Sequence, residues 1–319
     1  MTRSLPRLTV VGTLGLVLAA LQGCAAVPRA YVPNERSGTI SVIDTESDTV
    51  IATWQVGGKP RGIAAAPDGS HLFVTEQTSA ALLVVDPGQG RVEYRIPLGE
   101  SPEGVSASPD GRWVAAASEV ANAILLIDTG SNQVVANIAT QGKNPEHAVF
   151  SPDSRWLLVS AEDATQVDLI DVNARRQVGS LEVGRRPRGM AFTPDGHLAY
   201  VACELDSTVY AIDLSNRTVV ARIAAGEFSN GVTIHPRGHE VYVSSGRGAS
   251  VSIIDVGRNE VVGTIAVGQR PWNMAISADG RKLYVANGRS NSVSVIDTVQ
   301  RVRIADVPVG QLPWGVAIR

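Results

Sequence analysis

From residue 30 onward the apolar positions fall in short runs of four to six, and none continues at helical spacing long enough to make a helix. In the stretch 267–308 the runs are 272–277, 283–286, 292–296 and 302–307. They are β-branched and apolar, and turn residues separate them, so each reads as a strand. The stretch is one copy of a recurring unit. A Val-Ile-Asp-like signature ends at Asp44, Asp86, Asp128, Asp171, Asp213, Asp255 and Asp297, spaced 42 or 43 residues apart. A fixed period in this range predicts an all-β, seven-bladed β-propeller with four antiparallel strands per blade.

The turn between the first two strands of a unit reads Pro67-Asp68-Gly69, Pro109-Asp110-Gly111 and Pro194-Asp195-Gly196, with Ser154 in the Gly place after Pro152-Asp153. Pro presets φ for the second position of a type I turn, and Gly suits the fourth. Each signature Asp is expected to bond backbone amides of the next hairpin as an Asx turn. A metal site is the other reading of these residues, but their identical placement at a turn already explains them. The chain ends predict closure. Residues 314–318 match only a first strand, and residues 31–56 match only the second to fourth. One blade therefore joins both termini, covering two strand edges that would otherwise be open. Six continuous blades begin near Pro60, Pro102, Pro145, Pro187, Ser229 and Pro271.

Tyr284-Val285-Ala286-Asn287, Ser294-Val295-Ile296-Asp297, Val267-Gly268 and Pro271-Trp272 resemble the YVTN-type β-propeller repeat, with Tyr31-Val32-Pro33-Asn34 a second near match. The resemblance covers residues 30–319. It implies the propeller fold and says little about activity, because propellers host many functions. Within that family the chain is similar to the seven-repeat group found beside PQQ-dependent alcohol oxidation. Relatives in larger redox enzymes carry haem or copper. No Cys-x-x-Cys-His occurs here, so no cofactor is expected.

The first residues read differently. Arg3 and Arg7 precede a thirteen-residue apolar run, 8–20, which is too short to span a bilayer and suits a secretory leader. It ends in Leu21-Gln22-Gly23-Cys24, which resembles a bacterial lipobox. Residues 1–23 are expected to be a signal peptide, 24–30 the lipidated Cys24 with a tether, and 31–319 the propeller. Ala25 after the Cys implies an exported protein anchored by lipid on the periplasmic side of the outer membrane. An ordinary secretory signal is the alternative. The second cysteine, Cys203, closes a strand and is expected to be buried and inert.

Composition narrows the class. The chain has 319 residues, 44% hydrophobic and 5% aromatic, with a net charge of −3. The leader holds two Arg and no acid, so its removal takes −3 to −5. With no basic stripe, nucleic acid is not an expected partner. A monomer is expected.

Candidate chemistry lies at one mouth of the central channel. The loop entering each innermost strand reads Pro-x-Gly, and its x residues are Arg61, Glu103, Glu146, Arg188, Asn230, Trp272 and Trp314. Turn geometry alone does not demand Arg, Glu or Trp there. The Gly position departs twice, to His147 and Asn273. The loop between second and third strands shares that face and supplies Glu35, Gln77, Glu119, Glu162, Glu204, Gly246 and Gly288, with Arg247 and Arg289 after the two glycines. The face divides into a carboxylate arc and an Arg/Trp arc. Together they suit a polar pocket with Trp272 and Trp314 as a wall; the bland alternative is solvated loops with both Trp packed between blades. Glu103, Glu146 and His147 could form an acid/base cluster. No Gly-x-Ser-x-Gly, His-Glu-x-x-His or Walker loop is present. The expectation is a non-catalytic module binding a periplasmic protein or small ligand, with its partner in quinoprotein oxidation by resemblance. The alternatives are a propeller enzyme (lactonase, lyase or tetrapyrrole-handling) with its site at that mouth, and a structural surface protein.

Overall fold

The computed structural model describes Met1 and residues 28–319, so Cys24 and the leader lie outside the described residues. It contains seven antiparallel sheets of four strands each. In blade 1 the strand Ala317–Ile318 pairs with Arg29–Asn34, which continues to Thr39–Asp44 and Thr49–Gln55. Ile318 sits opposite Ala30 and Ala317 opposite Tyr31, and a bridge joins Asn34 to Pro313. The expected closure by one C-terminal and three N-terminal strands is thus observed. Blades 2 to 7 open with Pro60–Ala65, Pro102–Ala107, Lys143–Phe150, Pro187–Phe192, Ser229–Ile234 and Pro271–Ile276. Each of these inner strands touches the next, and the last touches Ala317–Ile318, which completes the ring.

The core lies between blades. Leu283 and Val285 pack toward blade 6 with Tyr242, while Tyr284 and Ala286 pack toward blade 1 with Val32. Successive residues of a strand face opposite sides. A strand sandwiched between two neighbours is therefore apolar on both faces, and its sequence reads as a continuous run. The same division gives seven clusters, each drawn from two adjacent blades.

Polar fasteners rim the face away from the mouth. Tyr284 donates its hydroxyl to Asp48 Oδ1 at 2.5 Å, and Lys282 pairs with the same carboxylate at 2.7 Å, tying blade 7 to blade 1. Tyr200 donates to Asn259 at 2.8 Å, and Arg301 pairs with Glu240 at 2.6 Å. The guanidiniums of Arg175 and Arg217 lie 5.7 and 5.9 Å from the rings of Trp113 and Trp156 in the preceding blades. The signature Asp residues form the expected turns. Each Oδ1 accepts a backbone N–H two or three residues on, from Ser47, Gly88, Ser131, Ala174, Ser215, Arg258 and Gln300.

The Pro-x-Gly glycine is a steric requirement. A Cβ at Gly189 would fall 2.5 Å from Asn230 O, and at Gly231 2.4 Å from Trp272 O, so neighbouring inner strands meet backbone to backbone. Gly189→Ala should lower the urea-unfolding stability by about 2 kcal/mol, since backbone cannot step aside as a side chain can. Gly179→Ala, whose new Cβ meets nothing closer than 3.7 Å, should stay within about 1 kcal/mol of the wild type in the same measurement. Asp48→Ala should cost about 1–3 kcal/mol, because the buried Tyr284 hydroxyl and Lys282 lose their shared carboxylate and keep only Thr45 O.

Candidate functional site

All seven x residues line one cavity of about 380 Å³ at the mouth: Arg61, Glu103, Glu146, Arg188, Asn230, Trp272 and Trp314. His147 and Asn273 join them, and the neighbouring loops add Glu35, Gln77, Glu119 and Glu162. The two Trp residues are not simply packed between blades, since both face this cavity. Arg247 and Arg289 do not line it. Arg247 lies over the Phe228 ring at 3.7 Å, and Arg289 is exposed. A Cβ at Gly288 would meet the Trp272 ring at 2.8 Å, and at Gly246 the nearest atoms are Phe228 O at 3.4 Å and the Arg270 guanidinium at 3.5 Å. At Gly288 the Trp272 ring takes the space a side chain would need, whereas at Gly246 a Cβ would make only ordinary contacts with Phe228 and Arg270.

Arg270, Arg186 and Ser101 were not legible as site residues. Each precedes the innermost strand and has φ near +55° (55, 56 and 52), as do Asn144, Phe228 and Leu312 at the same place in other blades. Left-handed backbone at non-Gly residues is uncommon. Here it recurs with the repeat and marks the lip of the mouth. The sequence signal available was the charge of that column at Arg186 and Arg270.

The charged groups form two arcs. In one, Arg61 pairs with Glu35 at 3.3 Å and with Glu103, while Gln77 donates to Glu103 Oε1 at 2.7 Å and Ser101 to Glu119 at 2.7 Å. In the other, Arg188 reaches Glu146 at 2.7 Å, Glu162 at 2.5 Å and Glu204 at 3.0 Å. Arg186 also pairs with Glu162 at 2.8 Å, and Arg270 with Glu204 at 3.4 Å. Five carboxylates and three guanidiniums line the cavity itself, so acid is in excess.

Burial sets how these groups titrate. Glu146 is pushed up to about 7 by burial; Arg188 opposes the shift, and Glu103 and Glu162 add to it. Glu103 is raised for the same first reason, with Arg61 opposing. Burial alone would lower Arg188, but Glu146, Glu204 and Glu162 outweigh it and keep the guanidinium charged. His147 is lowered to about 3 by burial, then by Arg188, so its ring is neutral at neutral pH. Its remaining accessible surface faces the channel, where it lies 5.4 Å from the Trp314 ring. Glu103 is 1% exposed, and its Oε2 has no hydrogen-bond partner. A buried, unsatisfied carboxylate oxygen costs free energy. The remaining chemistry lies elsewhere. The rings of His235 and His239 lie 4.1 Å apart, tilted by 56°, His71 pairs with Glu93 at 3.2 Å, and burial pushes the Cys203 thiol up to about 12. Among the described residues no His, Cys, Asp and Glu are grouped to hold a metal ion.

The family model described as "Lactonase, 7-bladed beta-propeller" matches residues 96–183 and 173–302. A search of curated proteins finds no match. Among solved structures, Kuenenia stuttgartiensis hydrazine synthase aligns with a TM-score of 0.77 and 25% identity, covering 84% of this chain and 92% of that one. A functionally unknown protein from Desulfotomaculum acetoxidans aligns at 0.79 with 17% identity, covering 91% and 98%. A putative 6-phosphogluconolactonase from Bacteroides fragilis aligns at 0.77 with 18% identity, covering 93% and 99%. At the identities of the last two, the likeness is one of fold. The expectation of a non-catalytic binding or scaffold module is overturned by the family match, which points to an enzyme-like propeller. The x residues that line the cavity come one per blade, 42 or 43 residues apart, so they form no local motif. The chain belongs to the seven-bladed β-propeller lactonase family.

Proposed function

We propose that the mouth is the active site of a lactone hydrolase acting on small, polar, uncharged lactones. The observation that carries this reading is Glu146, a buried carboxylate with a pKa of about 7, held by Arg188 at the edge of a cavity large enough for a small ligand. A base poised near the working pH combines adequate basicity with a usable ionised fraction. Ionised Glu146 takes a proton from water as the water oxygen bonds to the lactone carbonyl carbon. Guanidinium groups of the mouth stabilise the oxyanion that develops. The ring C–O bond then breaks, the leaving alkoxide receives the proton from Glu146, and the product is a hydroxy acid.

The charge balance argues for an uncharged substrate. Arg61, Arg188 and Arg270 are each already paired with carboxylates, so a phosphorylated lactone would have to displace them and face the surplus acid. Two-electron oxidation of a cyclic hemiacetal supplies a lactone, which accords with the resemblance to repeat proteins beside PQQ-dependent alcohol oxidation. The leader and Cys24 support placing the enzyme at the outer membrane on its periplasmic side.

In assays with glucono-δ-lactone, Glu146→Gln should reduce kcat by about 10²–10⁴, while Arg247→Ala, outside the cavity, should leave it unchanged. Because the ionised base is required, kcat/KM should fall about tenfold per pH unit below about 7 and level off above it. Full activity in the Glu146→Gln variant would remove that residue from the mechanism, and no turnover of any lactone would remove the reading. The 6-phosphorylated lactone should be hydrolysed with a kcat/KM at least about tenfold lower than the neutral one, equivalent to about 1.4 kcal/mol in the transition state.

A further inference from the structure

From the three side chains that close the channel beneath the mouth, we infer that His147, Asn273 and Trp314 form a septum that selects substrates by length. The inference rests on reading the mouth as the lactone site. Its first support is the repeat itself. The residue after x is Gly62, Gly104, His147, Gly189, Gly231, Asn273 and Gly315 in successive blades. At Gly62, Gly104, Gly189 and Gly231 a backbone oxygen of the next blade would lie 2.4–2.7 Å from a Cβ. The two departures are accommodated by glycines of the adjoining blades. A Cβ at Gly104 would fall 2.5 Å from His147 Nδ1, and one at Gly315 would fall 3.2 Å from Asn273 Cβ. Both side chains lie over those glycines and border the channel.

Trp314 meets them there. It comes from blade 1 and His147 from blade 4, which are as far apart as two blades of a seven-membered ring can be. Their rings nonetheless lie 5.4 Å apart, so the pair spans the axis. Asn273 donates its side-chain amide to Trp314 O at 3.4 Å, steadying the backbone from which the indole projects. A second cavity of about 150 Å³ lies on the other side, lined by Gly62, Gly104, Val105 and Met274 among others. His147, Asn273 and Trp314 line both cavities, so these three side chains are the wall between them. With the wall in place, a substrate must fit the upper cavity alone. Without it, a linear tail can pass into the lower one.

The test uses 1,4-aldonolactones whose polyol tail lengthens by one carbon at a time, with the full-length wild type, His147→Gly, Asn273→Gly and the double variant. Gly is the residue of the other five blades, and thermal unfolding would verify that each variant is folded. Trp314→Leu is the second route should a glycine variant fail to fold. The ratio of kcat/KM for the longest lactone to that for the shortest should rise at least about tenfold in the double variant, in line with the selectivity a pocket draws from one or two carbons. Hydrolysis with an unchanged length profile would overturn the septum and leave the lactonase reading standing. If the wild type hydrolyses no lactone, the lactonase reading fails, and crystal structures of wild type and double variant decide the septum separately. A closed channel in the first and a continuous one in the second upholds it, whereas a wild-type channel open between His147 and Trp314 overturns it.

Discussion

Seven backbones meeting around one axis is the constraint on which the rest of this molecule depends. At Gly62, Gly189 and Gly231 the next blade's carbonyl oxygen occupies the space a Cβ would need. That proximity leaves the inner strands little freedom to slide. It also forces the residue before each glycine to project at the mouth, beside its counterpart from the next blade. A ring of such positions concentrates side chains from sequence-distant segments without any local motif. The architecture is thus both the support of the site and the means of its assembly, with the core spread between blades where it cannot interfere with the channel.

Concentration has an electrostatic consequence. Acids and guanidiniums gathered in a narrow mouth lose water, and each carboxylate then depends on how many cations it touches. Glu162 touches both Arg186 and Arg188 and is held below the usual carboxylate range, burial notwithstanding. Glu146 shares Arg188 with Glu162 and Glu204 and is left near neutrality. The two lie against one guanidinium, yet one is a settled anion and the other a titrating group. Such a split between neighbouring acids is the arrangement from which acid/base chemistry is built.

Much of this was legible in the chain because repetition turns a sequence into an alignment with itself. The period placed every inner strand, the Asx turns followed from the fixed Asp, and the Pro-x-Gly column marked the residues that line the mouth. The column logic failed where one blade's loop bends over another position. Arg247 and Arg289 looked equivalent to the acids preceding them in other blades. The glycine before Arg289 leaves room for the Trp272 ring, and Arg247 turns to the Phe228 ring, relations between loops that no single column displays. Activity was less legible still, because titration depends on burial and on partners drawn from several blades, and neither is local in sequence.

Blade 1 takes its inner strand from Ala317–Ile318 and its other three from Arg29–Asn34, Thr39–Asp44 and Thr49–Gln55, and the same return of the chain carries Trp314 to the cavity. Segments nearly 290 residues apart in sequence thus share one sheet. Whatever loosens that seam also loosens the indole beside it, so ring closure and the shape of the mouth are one mechanical property.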